Sequence, residues 1–162
     1  MKPNNQIHNN KHLTLSDRTF IEQELVRGSS FKSIAEVLNK DPTTISKEVK
    51  LHRILFREDH RFFGCRRCKK YKSCKERNAC GRLSCKRQCK HCYKYDPPKF
   101  CPNYTSWECT QLTKPPYVCN SCTGYNYCPL QKAQYIANKA HKQYEKTLSS
   151  SRTGINMTPE EL

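Results

Sequence analysis

Twelve cysteines lie between residues 65 and 128 of a 162-residue chain, and none lies outside that stretch. They stand at Cys65, Cys68, Cys74, Cys80, Cys85, Cys89, Cys92, Cys101, Cys109, Cys119, Cys122 and Cys128. Three Cys-x2-Cys pairs stand out: Cys65 with Cys68, Cys89 with Cys92, and Cys119 with Cys122. Two of them open a longer repeat, CRRCKKYKSC and CNSCTGYNYC, each with a tyrosine in the spacer. A two-residue gap lets a tight turn aim two thiolates at one ion, and a second pair completes the tetrahedral shell of structural zinc. The expectation is therefore a zinc-organised module over residues 61–128, with all twelve cysteines as ligands of about three ions. His60 and His91 are able to replace a thiolate. Disulfides require an oxidising compartment, a redox pair requires a thioredoxin-like βαβ setting, and an iron–sulfur site favours a more compact cysteine run. Spacing alone does not say which pair meets which.

Such a stretch needs help from something other than oil. Hydrophobic residues make up 35% of the chain, and that figure includes the cysteines. The formal charge of +16 is concentrated in the same place: residues 65–128 hold 14 basic and 3 acidic side chains, against 11 and 8 in residues 1–64. That excess favours a polyanionic partner. No apolar run reaches the length of a membrane span, and the Asn-, His- and Lys-rich start has no signal-peptide core. The sequence reads as intracellular, with no membrane partner and no small-molecule substrate.

Residues 1–12 are polar and expected to be disordered. Order is expected from Leu13. Thr14 and Asp17 make a capping-box-like start, Phe20, Ile21 and Leu25 share a helical face, and Gly28 closes the segment. Ser30 caps a second helix carrying Phe31, Ile34, Ala35 and Leu38, and Asn39 tolerates the left-handed turn that leaves it. Asp41 caps a third, with Pro42 at its first position and Ile45 and Val49 inward. This layout, residues 13–60, predicts a three-helix helix-turn-helix domain whose third helix enters the major groove of double-stranded DNA. Its expected DNA-binding residues are Thr43, Thr44, Ser46, Lys47, Lys50 and Arg53. The hydroxyls suit base edges or phosphates, Lys47 suits guanine acceptors, and Lys50, Arg53 and Arg57 suit the backbone. The helix is expected to run on through Leu51, Ile54 and Leu55 with His52 on its surface.

Tyrosines and Trp107 are scattered among the cysteines. They suit either stacking on single-stranded bases or, the preferred reading, roofing small metal sites. After Pro129, the residues Leu130, Ala133, Ile136, Ala137, Ala140, Tyr144 and Leu148 line one face of an expected amphipathic helix over 129–150. It suits packing on the cysteine module, self-association or a spacer, with His141 on the surface. Residues 151–162 are a linker followed by a helix start, in which Thr158 is the cap and Pro159, Glu160 and Glu161 form the first turn. The sequence therefore reads as truncated. The fold class expected is mainly α, with an irregular zinc-organised module, Cys-rich knuckles and a long C-terminal helix.

Residues 17–53, DRTFIEQELVRGSSFKSIAEVLNKDPTTISKEVKLHR, resemble the N-terminal helix-turn-helix of bacterial transposases of the insertion-element-thirty family, most closely in SIAEVLNKDPTTISKEV. PYVCNSC, Cys128, Lys132 and SSSRTGINMTPEEL are similar to the Cys-rich Gram-positive variety. Asn39 stands where the family usually has glycine. The resemblance implies a bacterial cytoplasmic protein, nucleoid-associated when bound, whose module recognises terminal inverted repeats. It also implies a full-length parent with a following domain that carries Asp, Asp and Glu for two-metal strand transfer. No catalytic residue is expected in this chain, and Asp17, Asp41 and Glu48 are read as helix caps or surface acids. The alternatives are a zinc-stabilised protein-interaction module and a DNA-binding repressor of transposition.

Overall fold

The computed structural model describes residues 11–56, 65–92 and 97–153. Three helices open it, each placed by its cap. Helix α1 spans Leu15–Arg27, and Thr14 and Asp17 close a reciprocal capping box, each side chain bonded to the other's backbone N–H at 2.8 and 3.2 Å. Gly28, with φ of 82°, ends it in the left-handed region, where a side chain is unfavourable. Helix α2 spans Phe31–Leu38 between the Ser30 cap and Asn39, whose φ of 49° supplies the turn. Helix α3 spans Pro42–His52, with Asp41 accepting from the Thr43 N–H at 2.7 Å. It stops at Arg53, which is extended; Ile54–Leu55 form a short strand, β1, instead of a further helical turn.

The apolar faces of these helices meet as expected. Ile21, Leu25, Ile34, Ala35, Ile45 and Val49 are all buried in one cluster with Leu13. That cluster does not close on itself. Val118, Tyr135 and Ala140, from far along the chain, belong to it.

Residues after Pro129 differ from the expected continuous helix. Ala133–Gln134 form a strand, β2, antiparallel to β1 with Leu55 opposite Ala133 and Ile54 opposite Gln134. The Asn120 side-chain amide holds Tyr135 extended by a matched pair of bonds to its N–H and C=O, both 2.9 Å. The helix proper spans Ala137–Thr153, after a short α4 at Pro97–Phe100, and is numbered α5. Glu22 of α1 caps it from a distance by accepting from the Ala137 N–H at 2.8 Å. The face carrying Ala137 and Ala140 packs along α1, where small side chains permit close approach.

The cysteine-rich stretch corrects the expected fold class and cofactor. All twelve cysteines are free thiols, and among the described residues no group of three or more His, Cys, Asp or Glu side chains is arranged to hold a metal ion. The zinc-organised module and its structural ions are therefore not what the structure displays, and the fold is mainly α with an irregular middle. The Cys-x2-Cys spacing does form turns, since the Cys68, Cys92 and Cys122 N–H groups donate to the carbonyls of Cys65, Cys89 and Cys119. Individual thiols also make hydrogen bonds outside these turns. Cys65 Sγ donates to the Cys89 carbonyl at 3.1 Å, Cys89 Sγ accepts from the Ala79 N–H, and Cys68 Sγ accepts from the Thr105 N–H. Burial, followed by the neighbouring Cys92, Cys89, Cys74 and Cys101, pushes the Cys65 thiol up to about 12. Burial likewise raises Cys101 and Cys119.

Backbone pairing joins separate parts of this stretch. Isolated bridges join Cys68 to Ser106 and Arg77 to Gln88, and Lys69 donates to the Thr105 carbonyl at 2.9 Å. Links to the rest of the chain include Cys119 N–H to Ala133 C=O at 2.7 Å and Arg67 Nε to Pro129 C=O at 2.8 Å. His60, Arg57, Tyr93, Tyr95 and the expected helix start at Thr158 lie outside the described residues.

Candidate nucleic-acid interface

Helix α3 has two chemically opposed faces. Inward, Ile45 and Val49 are fully buried, and Glu48 and His52 are buried with them. Outward, Thr43, Thr44, Lys47, Lys50 and Leu51 are exposed, and Ser46 is half-buried at the margin. Thr43, Lys47 and Lys50 follow the spacing that stacks side chains along one side of a helix. The Thr43 hydroxyl donates to the Asp41 carboxylate at 2.5 Å, which leaves its oxygen able to act as an acceptor.

Glu48 is the one acid in α3, and its placement sets the charge of the outer face. It was expected among helix caps and surface acids, whereas Asp17 and Asp41 do cap and Glu48 is buried. The Arg18 guanidinium grips it at 2.7 and 3.3 Å, and the Tyr135 hydroxyl donates to it at 2.9 Å. His52, expected on the surface, lies at 3.7 Å on its other side. Arg18 is saturated in turn by the Leu13 carbonyl and His141 Nδ1, and lies 4.6 Å from the Tyr144 ring centroid. Burial first, and then the Glu48 charge, push the Tyr135 hydroxyl well above its ordinary value, so it remains a donor. A carboxylate held inward in this way presents no negative charge to phosphate. The outer face of α3 is left to hydroxyls and lysines.

Of the six residues expected to contact DNA, five lie on or beside that face. Arg53 does not: its Nη1 donates to the carbonyls of Leu112 at 2.7 Å and Tyr117 at 2.9 Å, inside the protein. Two features of the face escaped the sequence reading. Leu51 is 76% exposed beside Lys47 and Lys50, an apolar group suited to a thymine methyl. Its only signal was its offset from the Ile45–Val49–His52 stripe. Tyr117 stacks on Phe31 at the start of α2, with centroids 6.1 Å apart, and Lys50 Nζ stands 5.4 Å from its ring centre. No local pattern announced that contact across 67 residues from Lys50.

The other expected binders are placed less tightly. Arg66, Lys69, Lys70, Lys72, Lys86 and Arg87 are exposed, while Arg67 is buried and Lys90 donates to the Lys72 carbonyl. Trp107 and Tyr127 are exposed. No described helix is long and apolar enough to cross a membrane.

Residues 9–52 match a family described as a helix-turn-helix domain. No curated protein and no solved structure matches the chain. The family match ends at His52, the last residue of α3, and the N-terminal domain is thus a helix-turn-helix by sequence family as well as by geometry.

Proposed function

We propose that the chain binds double-stranded DNA sequence-specifically through α3, as the non-catalytic N-terminal portion of a transposase directed to terminal inverted repeats. The observation that carries this reading is the sorting of charge on α3: Glu48 is neutralised inside, and Lys47 and Lys50 stand outside with Thr43 and Thr44. Recognition helices enter the major groove N-terminus first, so Thr43, Thr44 and Lys47 meet base edges while Lys50 meets the backbone. Ser46 sits at the groove wall. The transposase assignment rests on the resemblance over residues 17–53, and self-association on a paired inverted-repeat target is part of the same reading.

Selection of bound duplexes from a random pool tests it. An enriched, repeat-like site is expected. Lys47→Ala is then expected to weaken binding to that site by about 1–3 kcal/mol, from about fivefold to about a hundredfold, and to relax preference at one base pair. Helical content is expected to stay unchanged, because Lys47 is exposed. A pool that shows no enrichment, or a variant that binds as the parent does, overturns the proposal.

A further inference from the structure

The segment Thr110–Tyr117 packs against α2 and the end of α3, although it is remote from them in sequence. Three contacts fix it. Arg53, the residue that ends α3, donates to the carbonyls of Leu112 and Tyr117 and so clamps both limbs. Tyr117 stacks on Phe31, the first residue of α2. Lys50, on the outer face of α3, stands over the same ring. Tyr117 also has φ of 64°, a left-handed conformation that a bulky side chain adopts only when its surroundings over-determine it. Strain held by converging contacts is a mark of a segment positioned for use.

Its location says what it would meet. A recognition helix inserts by its N-terminus, so the C-terminal half of α3, with Lys50, lies where the groove gives way to the sugar-phosphate wall. The loop adjoins that half. Its exposed residues are Thr110, Gln111, Thr113, Lys114 and Pro115, with no acid between Cys109 and Val118. Thr113 turns its hydroxyl proton onto the Thr110 carbonyl at 2.9 Å, which braces the turn before Lys114.

We propose that residues 110–117 form a second DNA-contacting element, in which Lys114 binds a backbone phosphate of the duplex held by α3 and Arg53 is the residue that positions it. The inference rests on the proposed function, and it assigns to the cysteine-rich half of the chain a direct part in DNA binding. Contacts of this kind add affinity without sequence information, and each neutralised phosphate steepens the salt dependence.

The test is a salt titration of the full chain on two duplexes of equal length, the selected site and a random sequence, with Lys114→Ala and Lys47→Ala in parallel. Lys114→Ala is expected to weaken both duplexes by the same several-fold factor and to flatten the log–log salt slope by about 0.9. Lys47→Ala is expected to reduce the preference for the selected site. Arg53→Met is expected to reproduce the Lys114→Ala phenotype, and the double variant to be no weaker than either single one, because each removes the same contact. If Lys114→Ala keeps the parental slope and affinity while Lys47→Ala does not, the loop proposal is overturned and the α3 reading stands. If neither duplex is preferred by the parent chain, it is the α3 reading that fails. Lys114 is exposed, so its variant tests the contact without disturbing the fold.

Discussion

Arg18, Glu48 and Tyr135 form a buried polar set in which every member is needed to keep the others satisfied. A buried carboxylate stripped of its cation is costly, about 3–5 kcal/mol, whereas loss of one hydrogen bond to a charged group costs about 1.5–3 kcal/mol. Arg18→Met is therefore expected to destabilise more than Tyr135→Phe in urea unfolding; the reverse order would mean that the Arg18–Glu48 pair is not the anchor. Alkaline titration separates the tyrosine's part. Its folded pKa is raised above the ordinary 10.0, by burial and then by Glu48, with Arg18 opposing and Glu22 adding to the rise. The folded state thus holds a proton that the unfolded state releases above that value, and stability falls as pH climbs past 10.0 by about 1.4 kcal/mol per pH unit. The raised thiols Cys65, Cys101 and Cys119 add their own loss from about 9 upward, so the informative quantity is the difference between parent and Tyr135→Phe. That difference is expected to shrink above pH 10; a constant gap would show that the hydroxyl titrates normally. Nothing in the sequence marks these three residues as partners. Arg18 and Glu48 look like ordinary helix-surface charges, because their neighbour arrives from residue 135.

At the scale of elements, legibility followed the range of the cause. The first three helices were readable because caps, a proline at N1 and left-handed Gly28 and Asn39 act within four residues of the ends they define. The cysteine pairs were readable as turns for the same reason. Which thiols neighbour which was not, because those neighbours come from separate stretches of the chain, as Cys92, Cys89, Cys74 and Cys101 do around Cys65. The C-terminal helix shows both outcomes. Its apolar spacing was legible from Ala137 onward, but Asn120 and β1 draw residues 133–135 into an extended path, and the cap comes from Glu22 rather than from a neighbour. Glu22→Ala removes that cap. A destabilisation of about 0.5–2 kcal/mol is expected in thermal or urea unfolding, with fraying at the start of α5 visible as faster amide exchange at Ala137–Ala140. Unchanged exchange there would place the origin of the helix start elsewhere, in the packing of Ala137 and Ala140 on α1.

For the whole molecule, the consequence is that the helix-turn-helix domain is not finished where its family match ends. Leu13, Ile21, Leu25, Ile34, Ala35, Ile45 and Val49 make a core open on one side, and Val118, Tyr135 and Ala140 close it. Burying one large side chain contributes about 1.5–3 kcal/mol, and small domains hold only about 5–15 kcal/mol in total. A fragment ending at residue 60 keeps every helix of the helix-turn-helix but loses that cover. It also exposes the Arg18–Glu48 pair to water, where an ion pair is worth about 0–1 kcal/mol. The fragment is therefore expected to be largely unfolded or to melt well below the full chain, with its 222 nm signal per residue reduced and its specific DNA affinity lost in proportion. Adding back residues 110–153 as a separate peptide is expected to recover part of that signal, because β1 pairs with β2 and α1 packs on α5 without needing the intervening cysteines. A fragment that melts with the same midpoint as the full chain would mean that the three helices suffice alone, and that the C-terminal segment docks on a domain already formed.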